Sequence, residues 1–157
     1  MIKIKLTTLL VFAFLAANVF AQETIQKEYE VKVITSVESI IPDGLGRSRL
    51  ISTNDKRDYK KFTSTQTEED NTRNKSKRKD IRVKAFEETK LLNFYNIGGI
   101  RFQNIAANDA VISSKLTAMI SEGWYLTFVT SAVESDAGEK DGNGIFITRY
   151  IFKRTLK

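Results

Sequence analysis

One stretch, residues 108–154, most constrains what this chain can fold into. Asn108 suits a helix N-cap, and Asp109 follows where a negative charge favours the helix dipole. Val111, Ile112, Leu116, Met119 and Ile120 recur at helical spacing and form one apolar stripe, while Lys115, Ser121 and Glu122 fall off it. Gly123 can take positive φ at no steric cost, which ends a helix. The spacing predicts a helix over 109–122. Directly afterwards Trp124, Leu126 and Phe128 alternate with Tyr125, Thr127 and Val129, as in a strand rich in aromatic and β-branched residues. A second strand is expected over 145–154. Ile145, Ile147 and Ile151 share one side with Arg149 and Lys153, and Phe146, Tyr150 and Phe152 share the other with Thr148. Both sides are apolar, so one should meet the helix and the other something else. Residues 136–144 between the strands are rich in Gly, Asp and Asn and predict a turn.

The N-terminus adds a compartment to this expectation. Lys3 and Lys5 form a positive n-region, residues 9–17 an apolar core, and Val19-Phe20-Ala21 a small-residue cleavage site. This pattern predicts a signal peptide over 1–21, cut before Gln22, and export to the periplasm or the exterior. The apolar run is shorter than the roughly 20 residues a spanning helix needs. Of the 157 residues, 136 would remain, enough for one domain, and losing two lysines lowers the formal charge from +6 to +4. With no Cys the chain has neither a disulfide framework nor a bacterial lipid anchor, so an apolar core must hold it.

The rest of the chain divides into strands and one unlike segment. Tyr29, Val31, Val33 and Val37 alternate with Glu28, Glu30 and Lys32, predicting a strand over 27–39, which Pro42-Asp43-Gly44 breaks. A short strand is expected over 45–51. Residues 52–80 contain only Tyr59 and Phe62 as large apolar side chains, with an acidic knot at Glu68, Glu69 and Asp70 followed by a basic run. Such a segment buries too little apolar surface to offset its ordering entropy, so a disordered insertion is expected. Ile81, Val83 and Ala85 alternate again. The stretch to Asn93 is expected to pair with 45–51, with a helix over 84–92 as the competing reading. Residues 96–99 turn the chain, and a short strand over 100–105 would lead into the helix. The fold class expected is α+β: a small antiparallel or mixed sheet with one main helix packed on it.

Three short motifs carry a family resemblance: Glu28-Tyr29-Glu30-Val31 in the first strand, Glu122-Gly123-Trp124 at the helix end, and Phe152-Lys153-Arg154 in the last strand. Over 27–39 and 108–154 the chain resembles a family of small bacterial domains of unknown function. The central region, with Leu91 to Tyr95 and Gly99 to Gln103, looks more like exported Gram-negative relatives. The resemblance implies a β-α-β-β fold. It implies no activity and supplies no functional residues.

Few side chains point to chemistry. Glu139, Asp141 and Asn143, with Gly144 in sixth place, look like half of a calcium-binding loop, but the twelfth position is Tyr150 where a bidentate Glu is needed. Asp-Gly and Asn-Gly are also strong hairpin signals, and the turn is the better reading. Glu38 and Glu134 each end a strand in Val-Glu-Ser and would share a sheet edge if their strands were parallel neighbours, which suits carboxylate-dependent hydrolysis. With no His and no Cys, the commonest general base and the best nucleophile are both absent. No metal or cofactor is expected. Arg73, Lys75, Lys77, Arg78 and Lys79, within the basic stretch 73–84, suit a polyanion such as lipopolysaccharide or an acidic glycan. Aromatic interleaving is missing from that run, so nucleic acid fits poorly. Trp124 is expected in the core, and Arg47, Arg49 and Arg149 as rim contacts for a partner. A free strand edge would also allow a homo-oligomer. The function expected first is an exported, non-catalytic binding or structural module with a protein or cell-envelope partner. Polyanion binding comes second and a small hydrolase third.

Overall fold

The computed structural model describes residues 28–39, 48–96, 98–133 and 144–156. Its contacts divide the described residues into a unit within Glu30–Arg154 and a small one holding residues 28–29 and 155–156, within which the Leu156 N–H donates to the Glu28 carbonyl at 2.9 Å. In chain order the elements are β1 (Tyr29–Ser39), β2 (Arg49–Ser52), a 3-10 turn (Tyr59–Phe62), a short α1 (Arg78–Ile81), β3 (Glu87–Lys90), β4 (Tyr95–Asn96), β5 (Gly99–Ile100), α2 (Phe102–Ser121), β6 (Tyr125–Val133) and β7 (Ile145–Thr155). Five strands form one antiparallel sheet in the order β3-β2-β1-β7-β6, and β4 and β5 form a separate two-residue hairpin. With one main helix on a five-stranded antiparallel sheet, the fold is α+β. Of the expected strand over 45–51, residues 45–47 lie outside the described residues, and β2 runs from Arg49 to Ser52.

The main helix is longer than the 109–122 expected, because it begins at Phe102. The strand expected over 100–105 is therefore mostly helix, and β5 keeps only Gly99 and Ile100 of that stretch. Asn108 does not cap. It lies in the helix interior, and its amide donates to the Leu92 carbonyl (2.8 Å) and Glu38 Oε2 (3.0 Å) while accepting from the Leu92 N–H (2.7 Å). Asn104 Nδ2, one turn earlier, donates to the Asn93 carbonyl at 2.6 Å. Both asparagines stand on the same stripe as the buried Ile112 and Met119. They satisfy the backbone of the segment that leads out of β3, where an apolar side chain would leave it unpaired. Sequence reading took a polar residue beside an apolar run for a boundary, whereas here it is a tertiary contact.

The C-terminal end of the helix follows expectation. Gly123 has φ 83°, and the Gly123 and Trp124 N–H groups donate to the Ile120 (3.0 Å) and Met119 (3.1 Å) carbonyls, the double bond pattern of a Schellman motif. The turn delivers Trp124 into the core with Ile34, Leu50, Leu91, Ile112, Met119 and Phe152.

Strand β6 pairs with β7 as the expected hairpin, but a bulge falls at Thr127: Leu126 lies opposite Phe152, and Phe128 opposite Ile151. One extra residue in the strand moves Phe128 to the face opposite Leu126, which breaks the simple alternation of Trp124, Leu126 and Phe128. On the other flank β2 pairs with β3, so the strand reading of residues 81–93 prevails over the helix, though β3 is confined to 87–90 and Ile81 belongs to α1. The segment expected to be a disordered insertion joins β2 to β3 and instead holds the 3-10 turn and α1, with hydrogen bonds between its two legs. Apart from a half-buried Phe62, every side chain from 54 to 82 is exposed.

Candidate functional site

The two faces of the sheet are unequal. Within the pairings, Ile34 of β1, Leu50 of β2 and Phe152 of β7 turn towards the helix and into the core. By the two-residue period of a strand, Glu30, Lys32, Ser36 and Glu38 share that covered face of β1. The opposite face carries Val31, Val33, Thr35 and Val37, with Ile51 opposite Thr35. It continues through Ile147, Arg149 and Ile151 of β7 to Phe128, opposite Ile151 on β6. Here Val31 is 63% exposed, Val33 42% and Phe128 60%. Thr53 Oγ1 donates to the Ala85 carbonyl at 3.0 Å and holds the leg returning from the insertion beside this face. Val83 and Phe86 of that leg form, with Val33, Thr35 and Ile51, an apolar groove of about 410 Å³. The open face thus has a broad apolar surface and one groove suited to an apolar side chain.

The expected rim cations fall as follows. Arg149 is exposed on this open face, opposite Thr130, with no ion pair to a carboxylate among the described residues. Arg49 shares the face, but its Nε donates to Glu88 Oε1 at 2.6 Å and its Nη1 to the Ser48 carbonyl at 2.7 Å. Arg47 lies outside the described residues. Arg73, Lys75, Lys77, Arg78 and Lys79 are all exposed in the insertion, away from this pair in sequence and in element.

The strands expected to be parallel neighbours at the Glu38–Glu134 pair are not neighbours. Strand β7 stands between β1, which bears Glu38, and β6, which ends at Val133, so these two strands are separated by two strand spacings, about 10 Å. Glu38 is held by Asn108, and Glu134 lies outside the described residues. Near Glu38, burial raises the Tyr150 hydroxyl above its ordinary range, and the Glu38 and Asp109 charges add to that. The loop 136–143 that suggested calcium also lies outside the described residues, and among the described ones no group of three or more His, Cys, Asp or Glu is placed to hold a metal.

The three short motifs singled out in the sequence meet in space. Arg154 lays its guanidinium over the buried Trp124 ring, 4.2 Å from the centroid. Its Nη2 donates to Glu30 Oε2 at 2.8 Å and its Nη1 to the Glu122 carbonyl at 3.4 Å. Lys32 Nζ approaches the same ring at 6.0 Å. The Arg154 bond, then the Lys56 contact at 3.2 Å, lower the Glu30 carboxyl below its ordinary range. The arrangement fastens the helix end to β1 and β7. A cation over a buried indole contributes about 0.5–2 kcal/mol, so the motifs are accounted for by packing.

Sequence reading missed Lys56, Arg57, Lys60 and Lys61. They lie on the outgoing leg of the insertion, which folds back against the basic run. Their signal was the +5 net charge of residues 53–86, eleven Lys and Arg against six Asp and Glu, out of +6 for the chain. Among known proteins, no family model, no curated relative and no solved structure matches this chain.

Proposed function

We propose that this chain is a non-catalytic binding module of the bacterial cell envelope that docks a partner protein on the open face of its sheet. The observation that carries this reading is the uncovered apolar surface of Val31, Val33 and Phe128 beside the Val83–Phe86 groove. Contiguous exposed apolar surface of this kind marks interaction sites, and its burial drives association. The partner surface is apolar at its centre, fills the groove with one apolar side chain, and brings a carboxylate to Arg149. Export before docking follows from the N-terminal pattern, with Gln22 as the first residue of the working protein. Residues 1–27 lie outside the described residues. No helix among the described residues is long and apolar enough to cross a membrane.

The test is photocrosslinking in the native host, with the reactive residue introduced at position 31 or 147, and at 60 in the insertion as control. A discrete adduct from 31 and 147, absent from 60 and lost on Phe128→Asp, is the expected outcome. Equal adducts from all three positions, or none from 31 and 147, would overturn the reading. An adduct of twice the chain mass, with a dimer by light scattering, would make the partner a second copy. Mass spectrometry of the native protein should find Gln22 at the N-terminus, and an intact Met1 in the cytoplasm would remove the envelope assignment.

A further inference from the structure

The insertion between β2 and β3 is held by polar bonds rather than by a core. Arg57 Nη2 and Nε donate to the Arg82 (3.1 Å) and Ile81 (3.4 Å) carbonyls, tying the base of the two legs. Further out, Asn74 Nδ2 donates to the Lys61 (3.0 Å) and Thr63 (3.3 Å) carbonyls, and Ser76 Oγ donates to the Lys61 carbonyl at 3.2 Å. Asn74 and Ser76 are thus turned inward on the opposite leg. The residues that alternate with them, Arg73, Lys75 and Lys77, are exposed, and Arg78 and Lys79 follow in α1. The same bonds bring Lys60 and Lys61 of the outgoing leg beside Lys75 and Lys77 of the returning one. Arg57 pairs with Asp55 at 3.3 Å, but among the described residues Lys60, Lys61, Arg73, Lys75, Lys77, Arg78 and Lys79 make no ion pair with a carboxylate. Between the legs a polar cleft of about 520 Å³ is walled by Lys56, Arg57, Lys61 and Ser76, with Asp58 and Asp80. Asp58 is already engaged, since its Oδ1 accepts from the Lys60 N–H at 3.1 Å.

We infer that this zipped pair of basic legs is a binding site for an acidic glycan, separate from the open sheet face. Unpaired cations on two adjacent legs suit a ligand whose charges recur along a chain, and releasing its counterions drives binding. The legs are preformed by side-chain-to-backbone bonds, which lowers the ordering cost of binding. Tyr59, 70% exposed at the start of the 3-10 turn beside Lys60 and Lys61, offers one ring face to a sugar. A single-stranded nucleic acid would take a series of rings, one for each stacked base.

Binding is measured by fluorescence anisotropy with labelled heparin and, separately, with labelled polygalacturonate, so that sulfate and carboxylate chains are compared. Labelled oligo-dT is the third probe. Expected are saturable binding of at least one glycan, affinity falling steeply with salt, and loss on K75E/K77E/K79E but not on Lys90→Glu. Asn74→Ala with Ser76→Ala leaves net charge unchanged and should weaken glycan binding several-fold, because the legs separate. Circular dichroism confirms that each variant keeps the sheet. Undiminished binding in K75E/K77E/K79E would overturn the site. Unchanged binding in the Asn74/Ser76 variant would reduce it to diffuse charge, and oligo-dT binding as tight as either glycan would overturn the ligand class.

Discussion

The two faces of the sheet invert the usual expectation. On β1 the covered face presents Glu30, Lys32, Ile34, Ser36 and Glu38, and the open face Val31, Val33, Thr35 and Val37. A core is usually found by following the apolar set of an amphipathic strand inward. Here that set points outward, because hydrogen bonds and aromatic contacts supply partners for Glu30, Lys32 and Glu38 of the polar set. Glu38 takes an N–H from Asn108, Glu30 takes one from Arg154, and Arg154 covers Trp124. Polar groups can lie under a helix when each has a partner, while apolar groups facing water have none to find within the sheet. The charged groups of the covered face find their partners within the chain, and the open face is where an outside partner gains most.

Two substitutions on neighbouring strands test this contrast directly. Phe152 is fully buried on the covered face, so Phe152→Ala should lower unfolding stability by about 3–5 kcal/mol, read by urea titration. Phe128 is 60% exposed on the open face, so Phe128→Ala should leave stability within about 0.5 kcal/mol of the parent. Similar losses in both would mean that the open face is covered within the chain, and the docking proposal would fail. Next in size is Asn108→Ala. It removes the partner of the Leu92 N–H and carbonyl and of Glu38 beside a buried helix position, which costs roughly 2–4 kcal/mol, more than a lost N-cap would. Asn108→Leu should fare no better, since added apolar volume cannot satisfy the same backbone groups.

Local signals in the sequence were sufficient wherever local chemistry decides the outcome. The helix stop at Gly123, the alternation in β1 and β7, the presence of a strand at β6, and the return of a strand after the insertion all rest on neighbouring residues. Long-range features were not legible. Asn108 reads as a boundary residue because its bonds go to Leu92 and Glu38, which no periodicity reports. The bulge at Thr127 is a matter of register with β7, so Phe128 was assigned to the wrong face. The order β1-β7-β6 places the last strand between β1 and β6, and a pair of neighbouring strands cannot be told from this order by reading along the chain. The basic run was visible, but its neighbours Lys60 and Lys61 depend on Asn74 and Ser76 bonding across the insertion.

A smaller effect probes the join between helix and covered face at its far end. Gly123 stands at φ 83°, and an added Cβ would meet only Arg154 Cδ at 4.0 Å. Space is therefore available, and Gly123→Ala should cost about 1–2 kcal/mol from backbone conformation alone. A larger loss would show that Arg154 and Trp124 are displaced as well.

The smallest effect concerns Glu87, at the edge of the sheet on β3. Its Oε2 accepts from Lys115 Nζ of the helix at 2.8 Å and from Ser52 Oγ at 2.7 Å. These bonds, the Lys115 one first, hold its carboxyl down to about 2, from an ordinary 4.5. A carboxyl depressed in the folded state adds stability that is fully present above its unfolded value. That stability is lost as pH falls from about 4.5 through about 2. The Glu87 side chain is 57% exposed, so solvent screening keeps the contribution small. NMR titration of the Glu87 carboxyl carbon should show a midpoint near 2 in the parent, rising towards 4.5 in Lys115→Met. The acid limb of the stability profile should flatten in the same variant. An unmoved midpoint would mean that Ser52, on the covered side of β2, holds the carboxylate alone, and that the helix is anchored at this edge only by its apolar stripe.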